Sequence, residues 1–481
     1  MSDVAWSWLQ TTFTVTWLVL GAFAAGHAVM YKRDPRSAVI WIFMCFTFPI
    51  MGPWLYWVFG INRIERRAVR RRAQSRRTIP PQDLAARTRE AESDARAVGP
   101  LMALRRAADR VTKLPLVSGN LIEPLYNGEE SYPAMLSAIA LAKRSITLES
   151  YIFDYDEVGR EFAAALNDAA RRGVKVHVIA DGIGALGHFS RMGRLLRRSG
   201  AQIATFFPLR FPLGRVRLNM RNHRKLLIVD GMVGFTGGIN ISARHNTNRS
   251  APDRTDDLHF RVTGPVVEEM QDTFCDDWHL VSGELLSGDD YFPPLDSAGA
   301  SLARAVVSGP DEDLEKIHLV ILAALAAAQH SIRIVTPYFI PTPALVTAIS
   351  MAALRGVNVT IQLPSKVDLP FMRWAADAYL WQFLEHGVRV LRRPPPFVHT
   401  KLLIVDERWV MLGSANLDRR SFRLNFEFNL EVYDTEFAAA LAARVDADGS
   451  EAERVTLESV DARPGWQRFR DGFVRLFSPH L

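Results

Sequence analysis

Apolar and polar residues follow two different patterns along the chain. Residues 4–30 and 38–60 are two stretches without Asp, Glu, Lys or Arg, and each exceeds the roughly 20 apolar residues that cross a hydrocarbon core. From about residue 116, short alternating runs are interspersed with longer runs of helical period. This order predicts strands between helices, and therefore a parallel or mixed sheet covered by helices.

The globular pattern occurs twice. The first copy predicts helices over 133–142 and 158–172 and strands over 145–153 and 174–179. The second predicts helices over 317–329 and 343–354 and strands over 331–340 and 357–363. Some matches hold residue by residue, as between ARRGVKV at 170–176 and ALRGVNV at 353–359. A duplicated unit predicts two similar lobes that face each other across a cleft.

These patterns divide the chain into four predicted parts. They are a hydrophobic membrane hairpin over 1–60, an exposed basic helical linker over 61–115, a first lobe over 116–290 and a second lobe over 291–481. Phe371–Phe383 is predicted to be one helix that packs on the second lobe.

The balance of basic and acidic residues differs between the N-terminal part and the lobes. Residues 1–80 contain eleven Lys/Arg and three Asp/Glu, whereas the remaining 401 contain 47 basic and 49 acidic residues. A nuclease needs its positive excess over the catalytic body, where phosphates must be neutralised. The distribution therefore argues against nucleic acid as a partner and favours a membrane surface.

The N-terminal pattern predicts a multi-pass membrane protein with its lobes in the cytoplasm. Eight arginines lie between residues 62 and 77, and the larger positive cluster stays on the cytoplasmic side. The short loop between the two stretches opposes this orientation with Lys32, Arg33 and Arg36. Pro49, Gly52 and Pro53 interrupt the second stretch, so a re-entrant hairpin is an open alternative. Two buried core helices fit the lengths and the arginines less well.

Only two cysteines are present, Cys45 and Cys275. They exclude a disulfide framework and a cysteine metal site, and they fit a reducing compartment.

The chemistry lies in the most regular repeat. Five residues recur at a constant shift of 176, as His223, Lys225, Asp230, Gly237 and Asn240 and again as His399, Lys401, Asp406, Gly413 and Asn416. In an extended strand the histidine and the lysine point to one face, and the following LLIV run predicts a buried strand. The polar pair is thus predicted at the edge of a buried sheet.

This set suits a phosphodiester. One imidazole can attack phosphorus while the other protonates the leaving oxygen, and lysines and asparagines can bind the non-bridging oxygens. A lone histidine near a strand is more often structural, but two in a repeated motif are harder to dismiss. Only eight of 58 basic residues are lysine, and two of these occupy the same motif position. No HxH or HxxxH spacing occurs, so we expect neither a metal ion nor another cofactor.

The two motifs resemble the paired HKD motifs of the phospholipase D superfamily. Residues 221–241, 336–341, 387–401 and 413–427 are similar to blocks of bacterial cardiolipin synthases. Residues 33–60 resemble the hydrophobic domain of their membrane-inserted branch. The resemblance implies an α/β fold with two phospholipase D-like lobes, mixed sheets flanked by helices and a pseudo-twofold axis, preceded by two membrane helices.

The resemblance also implies roles for residues. His223 would be the nucleophile of a metal-free phosphohistidine mechanism and His399 the general acid, or the reverse. Lys225, Lys401, Asn240 and Asn416 would bind phosphate oxygens, and Asp230 and Asp406 would complete the HKD sets as supports for motif geometry.

In the family a downstream carboxylate orients each histidine. Glu427 lies 28 residues after His399, and Asp257 lies 34 after His223, although either can also be read as a solvated surface acid. The first copy has Gly238 where the second copy has Ser414, so the site is not fully symmetric.

Two loops before the motifs are candidates for lipid contact, with ordinary packing as the alternative. One contains Phe206, Phe207 and Phe211 among Arg210, Arg215 and Arg217, and the other contains Phe397.

The resemblance implies a cardiolipin synthase of the bacterial inner membrane. It would join two phosphatidylglycerols, release glycerol and work on an anionic phospholipid membrane. A hydrolytic phospholipase D is the alternative, and a nucleic-acid phosphodiesterase or a membrane scaffold is less well supported. The sequence leaves the acceptor and the oligomeric state open.

Overall fold

The computed structural model describes residues 3–32, 35–60, 98–182, 189–197, 200–207, 220–309 and 314–478. These residues form two compact units, a helical one up to residue 60 and a larger one from residue 98 onward. The arginine-rich part of the predicted linker lies outside the described residues.

The N-terminal unit contains three helices. They are α1 (Asp3–Tyr31), α2 (Pro35–Thr47) and α3 (Met51–Leu55), and a π-helical turn follows at Tyr56–Gly60. Of the described helices, α1 alone is long and apolar enough to cross a membrane, over 26 residues from Trp6 to Tyr31. A second spanning helix is not confirmed, because the second apolar stretch is divided between α2 and α3.

The break between α2 and α3 has local causes. Pro49 lacks the N–H that would continue the helix, and Ile50 adopts a left-handed conformation with φ of 60°. The chain then returns so closely that a Cβ at Gly52 would overlap the carbonyl of Met44. The interruption predicted around Pro49 and Gly52 therefore coincides with the turn.

The larger unit contains two successive series of strands and helices. A 3₁₀ turn at Gly99–Leu101 and helix α4 (Met102–Thr112) precede them. The first series is β1 (Val117–Tyr126), α5 (Asn127–Leu141), β2 (Ser145–Ser150), α6 (Glu157–Arg171), β3 (Lys175–Asp181), α7 (Phe189–Arg197), β4 (Gln202–Phe206), β5 (Arg221–Asn222), β6 (Leu226–Val229), β7 (Val233–Gly237), a 3₁₀ turn (Ala243–His245), β8 (Thr255–Asp256), β9 (Leu258–Thr263) and α8 (Val267–Ser282).

The second series begins after residue 300. It is β10 (Ser301–Ser308), α9 (Lys316–Ala327), β11 (Ser331–Val335), β12 (Phe339–Ile340), α10 (Pro343–Leu354), β13 (Asn358–Pro364), α11 (Pro370–Asp377), α12 (Leu380–Leu384), β14 (Arg389–Arg393), β15 (Phe397–Val398), β16 (Leu402–Val405), β17 (Trp409–Gly413), β18 (Leu417–Asp418), α13 (Arg419–Arg423), β19 (Asn425–Tyr433), α14 (Thr435–Asp448), β20 (Glu453–Val455), α15 (Leu457–Asp461) and α16 (Gly465–Arg475).

One mixed sheet runs through both series. From its centre outward, one side reads β1-β9-β7-β6-β2-β3-β4 and the other reads β10-β19-β17-β16-β11-β13-β14-β20. The halves meet where β1 pairs antiparallel with β10. Seven strands on each side follow the same order, which confirms the α/β fold with two similar lobes.

Helix α4 belongs to the second lobe. Leu104 and Ala108 are fully buried in its core beside α9, and Arg304 in β10 binds the Asp109 carboxylate. The helical spacing of Leu101, Leu104 and Ala108 gives α4 an apolar face that must be covered. The prediction of an exposed linker is therefore wrong for residues 98–112.

Candidate active site

Two short parallel pairings bring the repeated motifs together. Strand β5, just before His223, pairs with β19 of the second lobe, and β15, just before His399, pairs with β8 of the first. The backbone N–H of His223 donates to the carbonyl of Phe426 at 2.9 Å, and that of His399 donates to the carbonyl of Asp256 at 2.7 Å. Each histidine is thereby held in register against the opposite lobe.

The carboxylates follow the same crossed pattern. His223 Nδ1 lies 3.0 Å from Glu427 Oε2, and His399 Nδ1 lies 2.7 Å from Asp257 Oδ2. Both carboxylates are among the residues predicted from the sequence, but the prediction paired each with the histidine of its own half. That pairing is wrong, because each carboxylate comes one residue after the backbone carbonyl that binds the other lobe's histidine.

The buried environment favours neutral imidazoles. Burial lowers the pKa of His223, although Glu427 opposes this shift. The pKa of His399 lies well below its ordinary value because of burial, with Lys401 and Lys225 acting in the same direction. A carboxylate accepts hydrogen bonds only, so each Nδ1 carries the proton and each Nε2 keeps a lone pair for chemistry.

Glu427 stays ionised despite its burial. Burial alone would raise its pKa, but His223 and Lys225 outweigh this effect and the pKa of Glu427 is lowered. A buried anion beside His223 can then stabilise the imidazolium that forms during a reaction.

The two motif lysines are buried beside the histidines. The ammonium group of Lys225 donates to the backbone carbonyl of His223 at 2.7 Å, and Lys401 contacts that of His399 in the same way. Burial and the charge of Lys401 lower the pKa of Lys225 to about 7. Burial lowers the pKa of Lys401 to about 8, although Asp257 and Glu427 oppose the shift. Two ammonium groups this close create a strong preference for an anion between them.

Ser414 and Gly238 surround the two carboxylates differently. The hydroxyl of Ser414 donates to Glu427 Oε2 at 2.6 Å. At the matching position in the first lobe, a Cβ on Gly238 would overlap the carboxylate of Asp257. The departure from symmetry seen in the sequence therefore has a steric reason: Asp257 approaches the backbone more closely than Glu427 does.

The motif asparagines are held by equivalent backbone contacts. The N–H of Asn240 donates to His245 Nε2 at 3.3 Å, and the N–H of Asn416 donates to the hydroxyl of Ser421 at 3.2 Å. Asn240 Oδ1 accepts from the N–H of Ile152 at 3.2 Å. Asn416 Oδ1 is buried and has no hydrogen-bond partner among the described residues.

Asp230 and Asp406 lie at the far ends of the motif strands. Asp230 accepts the backbone N–H groups of Lys143, Arg144 and Ser145, and Asp406 accepts those of Gln329, His330 and Ser331. A strand of this length separates each carboxylate from its motif lysine by about 16 Å. This geometry is that of a support which fixes the start of β2 or β11, and it places neither aspartate at the reacting centre.

His245 and Tyr151 also lie in the site and were not predicted from the sequence. His245 Nδ1 lies 3.8 Å from Asp257 Oδ2, and burial lowers the pKa of His245 to about 3. The ring of Tyr151 meets that of His223 edge-on, with 5.2 Å between their centroids. The shift of 176 pairs His245 with Ser421, so extending the repeat comparison past Asn240 would have found this position.

In the two loops that were candidates for lipid contact, the described phenylalanines favour ordinary packing in one loop and leave one ring partly exposed in the other. Phe206 and Phe207 are buried and contact the ring of Phe426, so they pack within the body. Phe397 is partly exposed, and its ring centroid lies 5.7 Å from that of His399. Phe211 and the neighbouring arginines lie outside the described residues.

Among the described residues, no group of three or more His, Cys, Asp or Glu side chains has the arrangement of a metal site. Metal independence therefore stays a prediction for experiment.

Comparisons with known proteins agree over nearly the whole chain. A family model described as cardiolipin synthase, PLD-like domain, matches residues 135–278 and 321–448, and one described as phospholipase D-nuclease N-terminal matches residues 12–60. Cardiolipin synthase A of Pseudomonas syringae pv. syringae strain B728a is 34% identical over 466 residues, 96% of each chain. The major cardiolipin synthase ClsA of Bacillus subtilis strain 168 is 32% identical and covers 94% of this chain and 95% of its own.

The fold also matches a solved structure. Phosphatidylserine synthase of Haemophilus influenzae Rd KW20 superposes with a TM-score of 0.63 over 79% of this chain and 100% of its own. Its sequence identity is 17%, so this likeness supports the fold alone.

Proposed function

The chain belongs to the cardiolipin synthase family of the phospholipase D superfamily, and from this premise we propose that it makes cardiolipin. It would transfer a phosphatidyl group from one phosphatidylglycerol to a second and release glycerol. The observation that carries the proposal is the single centre in which both lobes place a histidine, a lysine and a carboxylate.

The first half of the proposed reaction forms a phosphohistidine. A neutral imidazole attacks phosphorus through Nε2, the bond from phosphorus to the glycerol oxygen breaks, and the second histidine gives that oxygen its proton. We assign the attack to His223 and the proton transfer to His399, as the family resemblance implies. The bound phosphate is an anion, so it raises the pKa of His399 and helps this residue to carry the proton.

The second half reverses the proton transfer. His399 takes the proton from a glycerol hydroxyl of the second phosphatidylglycerol, the resulting oxygen attacks phosphorus, and the phosphorus–nitrogen bond breaks. Lys225 and Lys401 stabilise the charge that builds on the non-bridging oxygens. Asn240 and Asn416 would bind and position the same oxygens. Only 11% of the His223 side chain and 12% of the His399 side chain are exposed, which limits the access of the water that competes with the lipid hydroxyl.

A product analysis tests this proposal. The purified protein is incubated with phosphatidylglycerol labelled in its phosphate, and cardiolipin is separated from phosphatidate. Cardiolipin with release of free glycerol is the expected result. Phosphatidate as the main product would instead establish a hydrolytic phospholipase D.

We propose that the lobes lie on the cytoplasmic side of the inner membrane. The support is α1, which can cross a membrane, and the eight arginines between residues 62 and 77. Protease added to intact spheroplasts should leave the lobes uncut, and protease added to inverted vesicles should degrade them. Cleavage of the lobes in intact spheroplasts would reverse the orientation. The same experiment with a tag before residue 3 distinguishes a crossing from a re-entrant second stretch.

A further inference from the structure

A row of exposed apolar side chains runs along α16 and the turn after it. Trp466, Phe469, Phe473, Leu476 and Phe477 are each at least half exposed, and Phe469 is 75% exposed. Their spacing of three or four residues places them on one side of the helix. Phe469 stacks on Phe473, and Phe473 meets Phe477 edge-on. We call these five residues the aromatic face.

The opposite side of α16 is firmly attached to the second lobe. Asp471 is buried and accepts a hydrogen bond from Arg463 at 2.9 Å, and Arg463 also donates to the carbonyl of Asp377 in α11 at 3.3 Å. Arg475 donates to the carbonyl of Ala378 at 3.3 Å. Val474 packs against a small core that includes Ile340 and Met372. The helix is therefore fixed in orientation, and its aromatic face points away from the body.

The charges around the aromatic face are positive. Residues 463–478 contain four arginines and a single carboxylate, that of the buried Asp471. At about 100° per residue, Arg470 lies on the flank of the face, about 70° from its centre, and its guanidinium lies over the ring of Trp466. Arg468 and Arg475 lie further round the helix, about 130° and 150° from the centre of the face. Exposed Trp and Phe on a helical segment with a net positive charge are the composition of a helix that lies in the interface of an anionic membrane.

The aromatic face is connected to the catalytic centre by packed residues. Val474 of α16 shares a core with Tyr338, and the hydroxyl of Tyr338 donates to Asp368. The ring centroid of Tyr338 also lies 6.1 Å from that of Phe397, which lies 5.7 Å from that of His399. A helix docked on a bilayer through this face would thus set the height of the second lobe's half of the site above the lipid.

We propose that the aromatic face of α16 is a second membrane-docking surface, which inserts into the headgroup region of an anionic bilayer. It acts separately from α1, and the choice of a lipid occupant rests in part on the proposed function. A few aromatic side chains bind a bilayer weakly by themselves, but attachment of the same chain through α1 raises their effective concentration at the surface. The face then orients the catalytic lobes and is not the anchor.

Lipid contact is measured on the full chain. Cys45 and Cys275 are replaced by alanine, and a fluorophore is attached through Phe469→Cys. The protein is reconstituted in phosphatidylcholine vesicles with about a third phosphatidylglycerol. Leu354→Cys on α10 is the matched control, because Leu354 is also an exposed apolar residue on a helix of the second lobe.

Docking predicts strong quenching at residue 469 by lipids spin-labelled on their acyl chains, and weak quenching by iodide in water. The label at residue 354 should show the opposite. Equal iodide quenching at both positions would overturn the proposal. Protection from iodide without quenching by spin-labelled lipid would also overturn it, since a second copy or another segment of this chain would then cover the face.

A second measurement uses activity. The variant Trp466→Ser/Phe469→Ser/Phe473→Ser removes exposed rings only, so its melting temperature should stay unchanged. We expect its rate on phosphatidylglycerol in vesicles to fall about tenfold and its rate on detergent-dispersed lipid to stay within about twofold. Met351→Ser/Leu354→Ser should lose neither activity, and Trp466→Phe/Phe469→Leu/Phe473→Leu should recover most of the vesicle rate. An equal loss in detergent would contradict docking.

The outcomes separate the two proposals. If the wild-type protein makes phosphatidate and not cardiolipin, the proposed function fails while the quenching at residue 469 still reports docking. If cardiolipin forms normally and the serine variant works equally well in vesicles, the docking surface fails and the function stands.

Discussion

Ser414 and Gly238 show how closely single atoms define this centre. The two positions are equivalent by the repeat, yet one carries a hydroxyl that binds Glu427 and the other has no room for a Cβ. Gly238→Ala adds a methyl group, and Ser414→Ala removes a hydroxyl and leaves a methyl group. Both variants therefore have the same side chain at equivalent positions and form a matched pair.

Ser414→Ala removes one of several hydrogen bonds to Glu427. Loss of one such bond is worth about 1 kcal/mol, so we expect a fall in kcat of up to about tenfold. The hydroxyl also accepts the N–H of Phe428 at 3.0 Å, so a small fall in melting temperature should accompany it. Gly238→Ala forces Asp257 away from His399, and we expect a fall of at least about a hundredfold and a lower melting temperature. Steady-state rates and thermal unfolding of both variants check this. Equal effects would show that the crowding at Gly238 is unimportant.

The motif lysines make a pH prediction. The pKa of Lys225 is about 7 and that of Lys401 about 8 in the free protein, so both lose their charge as pH rises through this range. Phosphate binding needs the charged forms. We therefore expect kcat/KM to fall as pH rises above about 7 and more steeply above about 8, while kcat falls only at higher pH because bound phosphate stabilises the ammonium groups.

Lys401→Arg provides the control for this profile. A guanidinium stays charged, so whatever the rate of the variant, the steeper fall above about pH 8 should disappear, while the fall near pH 7 that belongs to Lys225 should remain. A wild-type kcat/KM that stays flat to about pH 10 would contradict the assignment of the lysines to phosphate binding.

At the scale of elements, two-residue strands organise the centre. β5 and β15 each cross to the other lobe and place one histidine beside the opposite carboxylate. A carboxylate therefore acts on the histidine that is 142 or 204 residues away, not on the one in its own motif half.

The crossing predicts which variants resemble each other. With His223 as nucleophile, His399→Ala should lose turnover by several orders of magnitude and accumulate a labelled phosphatidyl adduct. Asp257→Asn should accumulate the same adduct, because it disables His399. Glu427→Gln should resemble His223→Ala, with little adduct.

The adduct on denatured protein is measured by gel autoradiography. If His399 is the nucleophile, the adduct should instead accumulate in His223→Ala and Glu427→Gln. Asp257→Asn should still resemble His399→Ala, and Glu427→Gln should still resemble His223→Ala. If Asp257→Asn resembles His223→Ala instead, the pairing is within each lobe. Near-normal rates for both histidine variants would exclude the mechanism.

Much of the element pattern was predictable from the sequence. The strand at Ser145–Phe153, the LLIV strands and the doubled order follow from period and repeat, and the structure has them at nearly those bounds. The crossed pairing of histidines and carboxylates was not predictable. The carboxylates lie 28 residues after His399 and 34 after His223, and these spacings do not determine which lobe a strand will pair with. Phe371–Phe383 was also misread, since α11 and α12 divide it at residues 378–379.

Apolar faces were equally hard to assign from sequence. The spacing in α4 shows that the helix needs cover, but only the tertiary fold places it on α9. The break after α2 was visible as Pro49 and Gly52, whereas its effect on a second membrane crossing depends on the path of the chain.

At the scale of the whole molecule, the membrane helices and the catalytic body are separate units. Removal of residues 1–60 deletes α1–α3 and leaves the sheet and both halves of the site complete. The truncated protein should stay folded, keep its rate on detergent-dispersed phosphatidylglycerol within about threefold, and lose most activity on bilayers.

The truncated protein should still bind anionic vesicles in a salt-dependent way. Each arginine near an anionic surface contributes about 1 kcal/mol, and this attraction is screened as the Debye length falls from about 10 Å at 0.1 M salt to about 3 Å at 1 M. Arg70→Gln/Arg71→Gln/Arg72→Gln in the same truncation should weaken sedimentation with vesicles at low salt. Complete inactivity on dispersed lipid would show that the N-terminal helices complete the site.

The crossed strands also make each lobe depend on the other. Neither lobe holds a complete histidine–carboxylate pair, since each lends its carboxylate to the other. A single lobe with this geometry would therefore form the centre only as a symmetric dimer, with one histidine and one carboxylate from each copy. In this chain the two halves are joined through residues 283–300, so the partnership is permanent and the halves can differ, as Gly238 and Ser414 do.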